Sequence, residues 1–254
     1  MFEVTVLSVL QGIAEFLPIS SSGHLVIAQN LLGVNAPGMR LDVFLHLGTL
    51  LAIVVYYWRT VAKLLALRGE SLSYIIRIGA SSLPAVAVYF IFKDQIEALF
   101  ENSRMVGALL MFTGAILLGT KYMPRGGRDV SFLRALAMGA AQALALLPGV
   151  SRSGMTLAAA RCAKVEAGKA AEFSFLMSAP LIAGAAILEL VKAADEVAAA
   201  GEPGWGVVAY GAIVAAIVGY ASLALLVRLL KGRGFWWFGV YCMAAGLATL
   251  VFVK

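Results

Sequence analysis

The chain has 254 residues, of which 61% are hydrophobic and only 13% charged, with a net charge of +6. A soluble domain carries about a quarter charged residues, so this composition excludes a water-soluble globule and equally a disordered chain; the solvent is a lipid bilayer. The basic residues are scattered among short loops, which points to membrane topology and away from a nucleic-acid partner. Cys162 and Cys242 have no metal-like spacing and read as small packing residues.

In chain order, residues 1–33 are apolar but interrupted at Glu15-Phe16-Leu17-Pro18-Ile19-Ser20-Ser21-Ser22-Gly23-His24. Uninterrupted apolar runs follow at 41–58, 73–92 and 105–120. Residues 131–163 are again interrupted, at Leu147-Pro148-Gly149-Val150-Ser151-Arg152-Ser153-Gly154, and the runs 173–192, 205–228 and 235–253 complete the chain. The flanks of the two breaks are about 12–15 residues each, or roughly 18–22 Å of helix. That is too short for a hydrocarbon core about 30 Å thick, so broken helices or re-entrant hairpins are expected. Irregular backbone of this kind is tolerated only where protein or a wet cavity surrounds it.

The two breaks are copies. One constant offset places Gln11 on Gln142, Ala14 on Ala145, Ser20 on Ser151, Ser22 on Ser153 and Gly23 on Gly154, and carries Phe44-Leu45 onto Phe175-Leu176. The stretches 59–72, 121–134 and 228–234 are basic, whereas 93–104 and 192–204 carry most of the loop acids. With the basic loops inside, the run 41–58 points inward and its repeat partner 173–192 outward. The expected fold is therefore an all-α polytopic membrane protein, an inverted-topology repeat of about six to eight transmembrane helices with two broken or re-entrant helix hairpins. It forms a single integral membrane domain over 1–254, with internal repeats at approximately 1–125 and 131–254. Such proteins place their site where the breaks meet.

Each break ends in Ser-x-Ser-Gly before a resumed helix. Serine is a good N-cap, and a helix N-terminus is also an anion site, so Ser20, Ser22, Gly23, Ser151, Ser153 and Gly154 are candidates for both roles. Arg152 stands opposite Ser21 on the repeat; its fork suits phosphate oxygens, or it neutralises Glu15. Glu15 shares a helix face with Gln11, four residues earlier. Near His24 and three hydroxyls, it could act as a general base or hold a divalent cation. The role of His46 stays open.

With these residues in hand, the chain resembles the undecaprenyl-pyrophosphate phosphatase family, also called bacitracin-resistance protein. The likeness rests on Gln11 through His24, which carry the family's Glu/Gln-x-x-x-Glu motif in its Gln variant, and on Pro148-Gly149-Val150-Ser151-Arg152-Ser153-Gly154-Met155-Thr156. Leu47 through Ala52, Leu83-Pro84-Ala85 and Glu172 through Leu176 extend it over nearly the whole chain. The resemblance implies hydrolysis of the terminal phosphate of a C55 isoprenoid diphosphate, giving the monophosphate carrier lipid for peptidoglycan synthesis and bearing on bacitracin resistance. It implies Glu15, Ser21, His24 and Arg152 as catalytic residues. Gln11, Ser20, Ser22, Gly23, Ser151, Ser153, Gly154 and Thr156 would then bind substrate. It further implies a divalent cation, Mg2+ or Ca2+, with Glu15 as ligand, and a multi-pass protein of the bacterial inner membrane whose site faces the periplasm. A homodimer is left open. Gln11, where the family also uses Glu, leaves one anionic ligand fewer.

Two rivals were weighed. Inverted repeats with broken helices are also transporter architecture, but a permeation site has little need of an acid, a hydroxyl and an imidazole together. The type-2 phosphatidic acid phosphatases use two histidines, an Asp after the second and a Lys-x6-Arg-Pro element; here His24 and His46 stand without them.

The charge pattern makes 59–72, 121–134 and 228–234 cytoplasmic, 93–104 and 195–204 external, and both termini external. In intact cells a cysteine placed at Arg125 should resist a membrane-impermeant maleimide, while one at Glu97 should react. The reverse pattern would invert the orientation.

Overall fold

The computed structural model describes residues 1–32, 39–100, 102–195, 203–232 and 234–253. Among these residues eleven α-helices follow one another: α1 Phe2–Ala14, α2 Ser21–Leu32, α3 Met39–Tyr56, α4 Trp58–Leu64, α5 Glu70–Phe100, α6 Ser103–Gly119, α7 Phe132–Leu144, α8 Arg152–Cys162, α9 Ala167–Asp195, α10 Trp205–Leu230 and α11 Trp237–Phe252. Among the described residues the one extended contact is an isolated bridge between Arg128 and Val165. The protein is an all-α polytopic membrane protein.

Among the described residues, length and apolarity qualify four helices as membrane spans, α5, α6, α9 and α10. A fifth is added if α3 and α4, bent by 83°, count as one span. The bend falls at Tyr57, where φ −100° and ψ 24° leave the helical region. It turns the basic residues Arg59 and Lys63 aside from the bundle axis, so this part of the stretch 59–72, expected as loop, is helical. The stretch 93–104, also expected as loop, is helical as far as Phe100; α5 continues past a kink at Phe92 (φ −119°, ψ 23°). In both places polar composition is compatible with helix, because charged side chains sit readily on a helix lying in the interface. Glu101, residues 196–202 of the external acidic stretch and Arg233 of the third basic loop lie outside the described residues.

The two interrupted segments form hairpins. Leu25 and Ala28 of α2 pack with Val4 and Leu7 of α1 and with Val207 of α10, so α2 folds back along α1. The open end of this hairpin is tied to the starts of α10 and α6: Thr5 Oγ1 lies 3.1 Å from Tyr210 Oη, and Asn30 Nδ2 donates to Ser103 Oγ at 2.9 Å. The hairpin of α7 and α8 opens at the other end of the bundle, where Arg161 Nη2 donates to the carbonyl of Met123, beyond the end of α6. Around them α1 packs on α10, α7 on α5, α3 on α9 and α6 on α11.

Lipid tails are as apolar as leucine, so helices associate in a bilayer by close packing. The contact of α6 with α11 shows how. Gly107 and Gly114 meet Gly246 and Gly239, and a Cβ on Gly246 would lie 2.5 Å from the carbonyl oxygen of Gly107. Replacing Gly246 by Leu should force these helices apart. The expected result is a lower unfolding midpoint in detergent than for the same change at Gly206, whose surroundings are open.

Candidate active site

Each break is built by the same local chemistry. Ser151 caps α8, its Oγ accepting from the N–H of Gly154 at 3.1 Å, and Ser20 caps α2 by accepting from Gly23 at 3.3 Å. In both copies the second serine of Ser-x-Ser lies 3.3 Å from the first, Ser22 from Ser20 and Ser153 from Ser151. The turns that feed these caps use left-handed backbone, at Gly149 (φ 96°) and, unusually for a residue with a side chain, at Ser20 (φ 70°).

The breaks lock onto one another. Ser153 Oγ donates to the carbonyl of Leu17 at 3.2 Å. A Cβ on Gly23 would lie 3.0 Å from the Cα of Gly149, so the two turns approach as closely as glycine permits. Thr113 of α6 braces the second break, donating to the carbonyl of Gly149 at 3.0 Å and accepting from the N–H of Ser151 at 3.1 Å. Carbonyls and amides that a helix break would otherwise leave orphaned in lipid are thereby satisfied.

The middle residue of each Ser-x-Ser triplet is left to face a cavity of about 530 Å³. In the first copy it is Ser21, in the second Arg152. Glu15, at the C-terminal end of α1, joins them. Its Oε2 accepts from Ser21 Oγ at 2.8 Å and from Gln11 Nε2 at 3.2 Å, and its Oε1 lies 2.5 Å from Arg152 Nη2. Glu15 is 8% exposed and the Arg152 side chain 16%, so this ion pair is largely withdrawn from solvent. Arg152 also lies over the ring of Phe175, 5.3 Å from its centroid, and Phe175 is itself fully buried. The guanidinium is thus oriented by a carboxylate on one edge and a ring on its face, while Nη1 is buried without a partner. A carboxylate accepting a hydroxyl proton, beside a guanidinium with a spare donor edge, is an arrangement that can activate an oxygen nucleophile and hold phosphate.

The cavity is walled by Leu25, Val43, Leu146, Leu181 and Ile182, and extends along α2 and α9 toward Gln29, Phe100 and Ala186. Of the residues expected to bind substrate, Ser22 lines it; Ser20, Ser151, Ser153, Gly23 and Gly154 shape the two caps, and Gln11 lies behind Glu15. Thr156 is fully buried, 2.6 Å from Ser174 Oγ, and holds α8 against α9. His24 turns from α2 toward α11. Its Nδ1 lies 2.9 Å from the carbonyl oxygen of Ser20 and its Nε2 2.7 Å from Tyr241 Oη, with the two rings stacked. It is therefore not within the lining of the cavity, whereas His46 and Asp42 are.

Gln142 is a residue whose importance the sequence hinted at only through its match to Gln11. It lines the cavity, is 3% exposed, and both atoms of its amide are buried without a partner. Tyr241 carried no sequence signal at all. No group of three or more His, Cys, Asp or Glu suited to a metal occurs among the described residues. The oxygen donors of the cavity fit a hard cation only in part: both Glu15 oxygens are already engaged, while Gln142 Oε1 is open.

Removing one member of a buried ion pair strands the other, at a cost of about 3–5 kcal/mol. Arg152→Ala should therefore lower stability in detergent by about that amount. Adding Glu15→Gln to it should restore most of the loss, which a chemical-unfolding double-mutant cycle would measure.

Comparison with known proteins places these features in context. Residues 4–248 match the family model described as bacitracin resistance protein BacA. The chain is 36% identical to an undecaprenyl-diphosphatase of Desulforapulum autotrophicum over 273 residues, covering 99% of this chain and 98% of the relative. It is likewise 36% identical to that of Desulforudis audaxviator over 263 residues (98% and 97%) and 34% identical to that of Halothermothrix orenii over 254 residues (99% and 97%).

Proposed function

The chain belongs to the bacitracin resistance protein BacA family, and from that premise we propose that it is an undecaprenyl-diphosphatase whose chemistry runs through Ser21, Glu15 and Arg152. The observation that carries the reading is the 2.8 Å hydrogen bond from Ser21 Oγ to Glu15 Oε2, beside the unpartnered Nη1 of Arg152 in one cavity wall. The cavity's size suits a diphosphate head and the first isoprene units, with the rest of the prenyl chain passing between helices into lipid.

The diphosphate enters with its terminal phosphate against Arg152. Nη1 and the amide of Gln142, both buried without protein partners, donate to its oxygens. As the guanidinium turns to the phosphate, it loosens its hold on the Glu15 carboxylate, which is already hydrogen-bonded to Ser21 Oγ. Glu15 takes the proton of Ser21, whose oxygen bonds to the terminal phosphorus while the bridging P–O bond breaks. The electron pair leaves on the prenyl monophosphate. Glu15 passes that proton to the leaving prenyl monophosphate; water then attacks the phosphoserine, giving a proton to the freed Glu15, which returns it to Ser21 Oγ as the P–Oγ bond breaks and inorganic phosphate departs. The helix N-termini that begin at Ser21 and Arg152 face the anion with their free N–H groups and positive dipole ends. Oriented donors of this kind are the largest part of phosphoryl-transfer catalysis.

A divalent cation, Mg2+ or Ca2+, would be held by a Glu15 oxygen and Gln142 Oε1, with substrate phosphate oxygens and water completing its shell. It would supply neutralisation of the diphosphate charge. His24, bonded to the Ser20 carbonyl and Tyr241, would act by holding the start of α2 and so the position of Ser21.

The finer architecture follows from the same frame. The hairpins open at opposite ends of the bundle, and the pairing of α1 with α10 is matched by that of α7 with α5, which supports an inverted-topology repeat. On this reading α3, α5, α6, α9, α10 and α11 cross the bilayer. The cavity extends toward Phe100 and the acidic stretch 93–104, which by the positive-inside bias is the periplasmic side of a bacterial inner membrane.

The test is phosphate release from a purified chain given a C55 prenyl diphosphate. Glu15→Gln should lose activity on the order of 10²–10⁴-fold, and Gln11→Ala less. Arg152→Lys should fold yet be crippled, because an ammonium cannot reproduce two parallel bonds to phosphate. A fully active Lys variant would return Arg152 to a structural role.

A further inference from the structure

A second polar cavity, of about 240 Å³, lies at the far end of the molecule from the first. Helix α9 passes both: Ala167 and Ala170 line this one, and Ser178 through Ala186 the other. Roughly 12 Å of helix axis separates Ala170 from Ser178. Three cations from three different elements converge here, Arg125 beyond the end of α6, Arg161 in the last turn of α8 and Lys231 at the end of α10.

The positive-inside bias accounts for basic residues at this end of the bundle. It does not account for three cations gathering around one concavity whose lining holds a single carboxylate, Glu166. Arg125 bears on Arg161 as a like charge, and among the described residues neither these nor Lys231 forms a salt bridge. Arg161 Nε is buried with no partner at all, its Nη2 reaching only the carbonyl of Met123. The carboxylate in the lining, Glu166, has both oxygens occupied by the N–H groups of Gly168 and Lys169, where it caps α9. Asp129, in the loop that carries Arg125, is paired with Lys169.

The wall is also built in advance. Arg128 N–H donates to the carbonyl of Lys164 at 3.1 Å and Glu166 N–H to that of Arg128 at 2.9 Å, pinning the loop of Arg125 to the loop after α8. The junction is so tight that a Cβ on Gly126 would overlap the Lys164 backbone, and Lys164 itself is held at φ 58°. Strained backbone kept in place by its surroundings is common at ligand clamps. Leu157, Val165, Leu230 and Phe235 give the cavity an apolar floor beneath the cations.

We propose that this cavity is a second phosphate site, separate from the hydrolytic one, in which Arg125, Arg161 and Lys231 hold a phosphate group against an apolar floor. A phosphodiester of an anionic lipid head group and free inorganic phosphate share that chemistry. The full chain, purified and placed in nanodiscs, distinguishes them. Phosphatidylglycerol against phosphatidylcholine is read by native mass spectrometry of retained lipid, and inorganic phosphate against chloride by the shift in thermal unfolding. Preference for phosphatidylglycerol alone identifies a lipid site, a response to inorganic phosphate alone a soluble-anion site, and either supports the proposal if it weakens at least tenfold in Arg161→Gln and in Lys231→Gln. Arg152→Lys should leave this binding unchanged, which separates it from phosphate in the other cavity. Should Arg161→Gln fail to fold, Lys231→Gln, at an exposed helix end, decides alone. Wild-type binding in the folded variants, or no preference for either phosphate probe in the unaltered chain, overturns the proposal.

Discussion

A carboxylate and a guanidinium 2.5 Å apart, carried by two separate helix breaks, tie this structure together. In lipid neither charge is stable alone, and neither break would be stable if its backbone groups met hydrocarbon. Each hairpin supplies what the other lacks. The first brings Glu15 and the carbonyl of Leu17; the second brings Arg152 and the hydroxyl of Ser153. Docking the hairpins therefore completes a buried ion pair, satisfies irregular backbone and closes one wall of the cavity in a single event. The remaining helices hold the hairpins in register, through α10 behind α1, α5 behind α7 and Thr113 of α6 against the second turn.

The two helix breaks share one local frame, and the polar groups that face the cavity sit where the breaks differ. Ser20 and Ser151 do the same work, as do Ser22 and Ser153 within their caps. The positions between them diverge into Ser21 and Arg152, a nucleophile-type hydroxyl and a phosphate-type cation. Glu15 has Leu146 as its counterpart, so the acid belongs to one copy only. Two identical breaks would have offered two like groups and no proton acceptor. One carboxylate, one hydroxyl and one guanidinium meet because the two breaks differ at these positions and agree around them.

Much of this was legible in the chain itself because the signals were of the kind that survive without a fold. Apolar runs interrupted by Ser-x-Ser-Gly marked the hairpins, and the shared offset of Gln11 and Gln142 marked them as copies. Arg152 could be nominated because a mid-membrane charge demands a reason, Glu15 because it stands near His24 and the hydroxyls, and Ser21 through the family resemblance. Residue type does not report direction, however. His24 follows the break closely enough to be read with Glu15, yet at the start of a new helix its place in the turn points it at Tyr241, a residue 217 positions away. Thr156 falls within the second motif but one helical turn beyond Arg152, on the face that meets Ser174. The loops fared worst. Arg59, Lys63, Lys93 and Glu97 suggested solvent, and they are in helices, because a helix in the interfacial zone can carry charge on its outer face.

The ion pair also explains why Gln11 is admissible where a second acid would stand. With Glu15 already matched by Arg152, one negative and one positive charge balance before substrate arrives. A carboxylate at position 11, 3.2 Å from Oε2 by way of the present amide, would add a like charge in a medium that screens it poorly. The amide instead donates a hydrogen bond that keeps Oε2 turned toward Ser21. At position 11 the chain thus offers an amide where a second acid would offer a carboxylate. Gln11 gives up an anionic group in exchange for a hydrogen bond that fixes the rotamer of the Glu15 carboxylate, leaving Arg152 as its ionic partner.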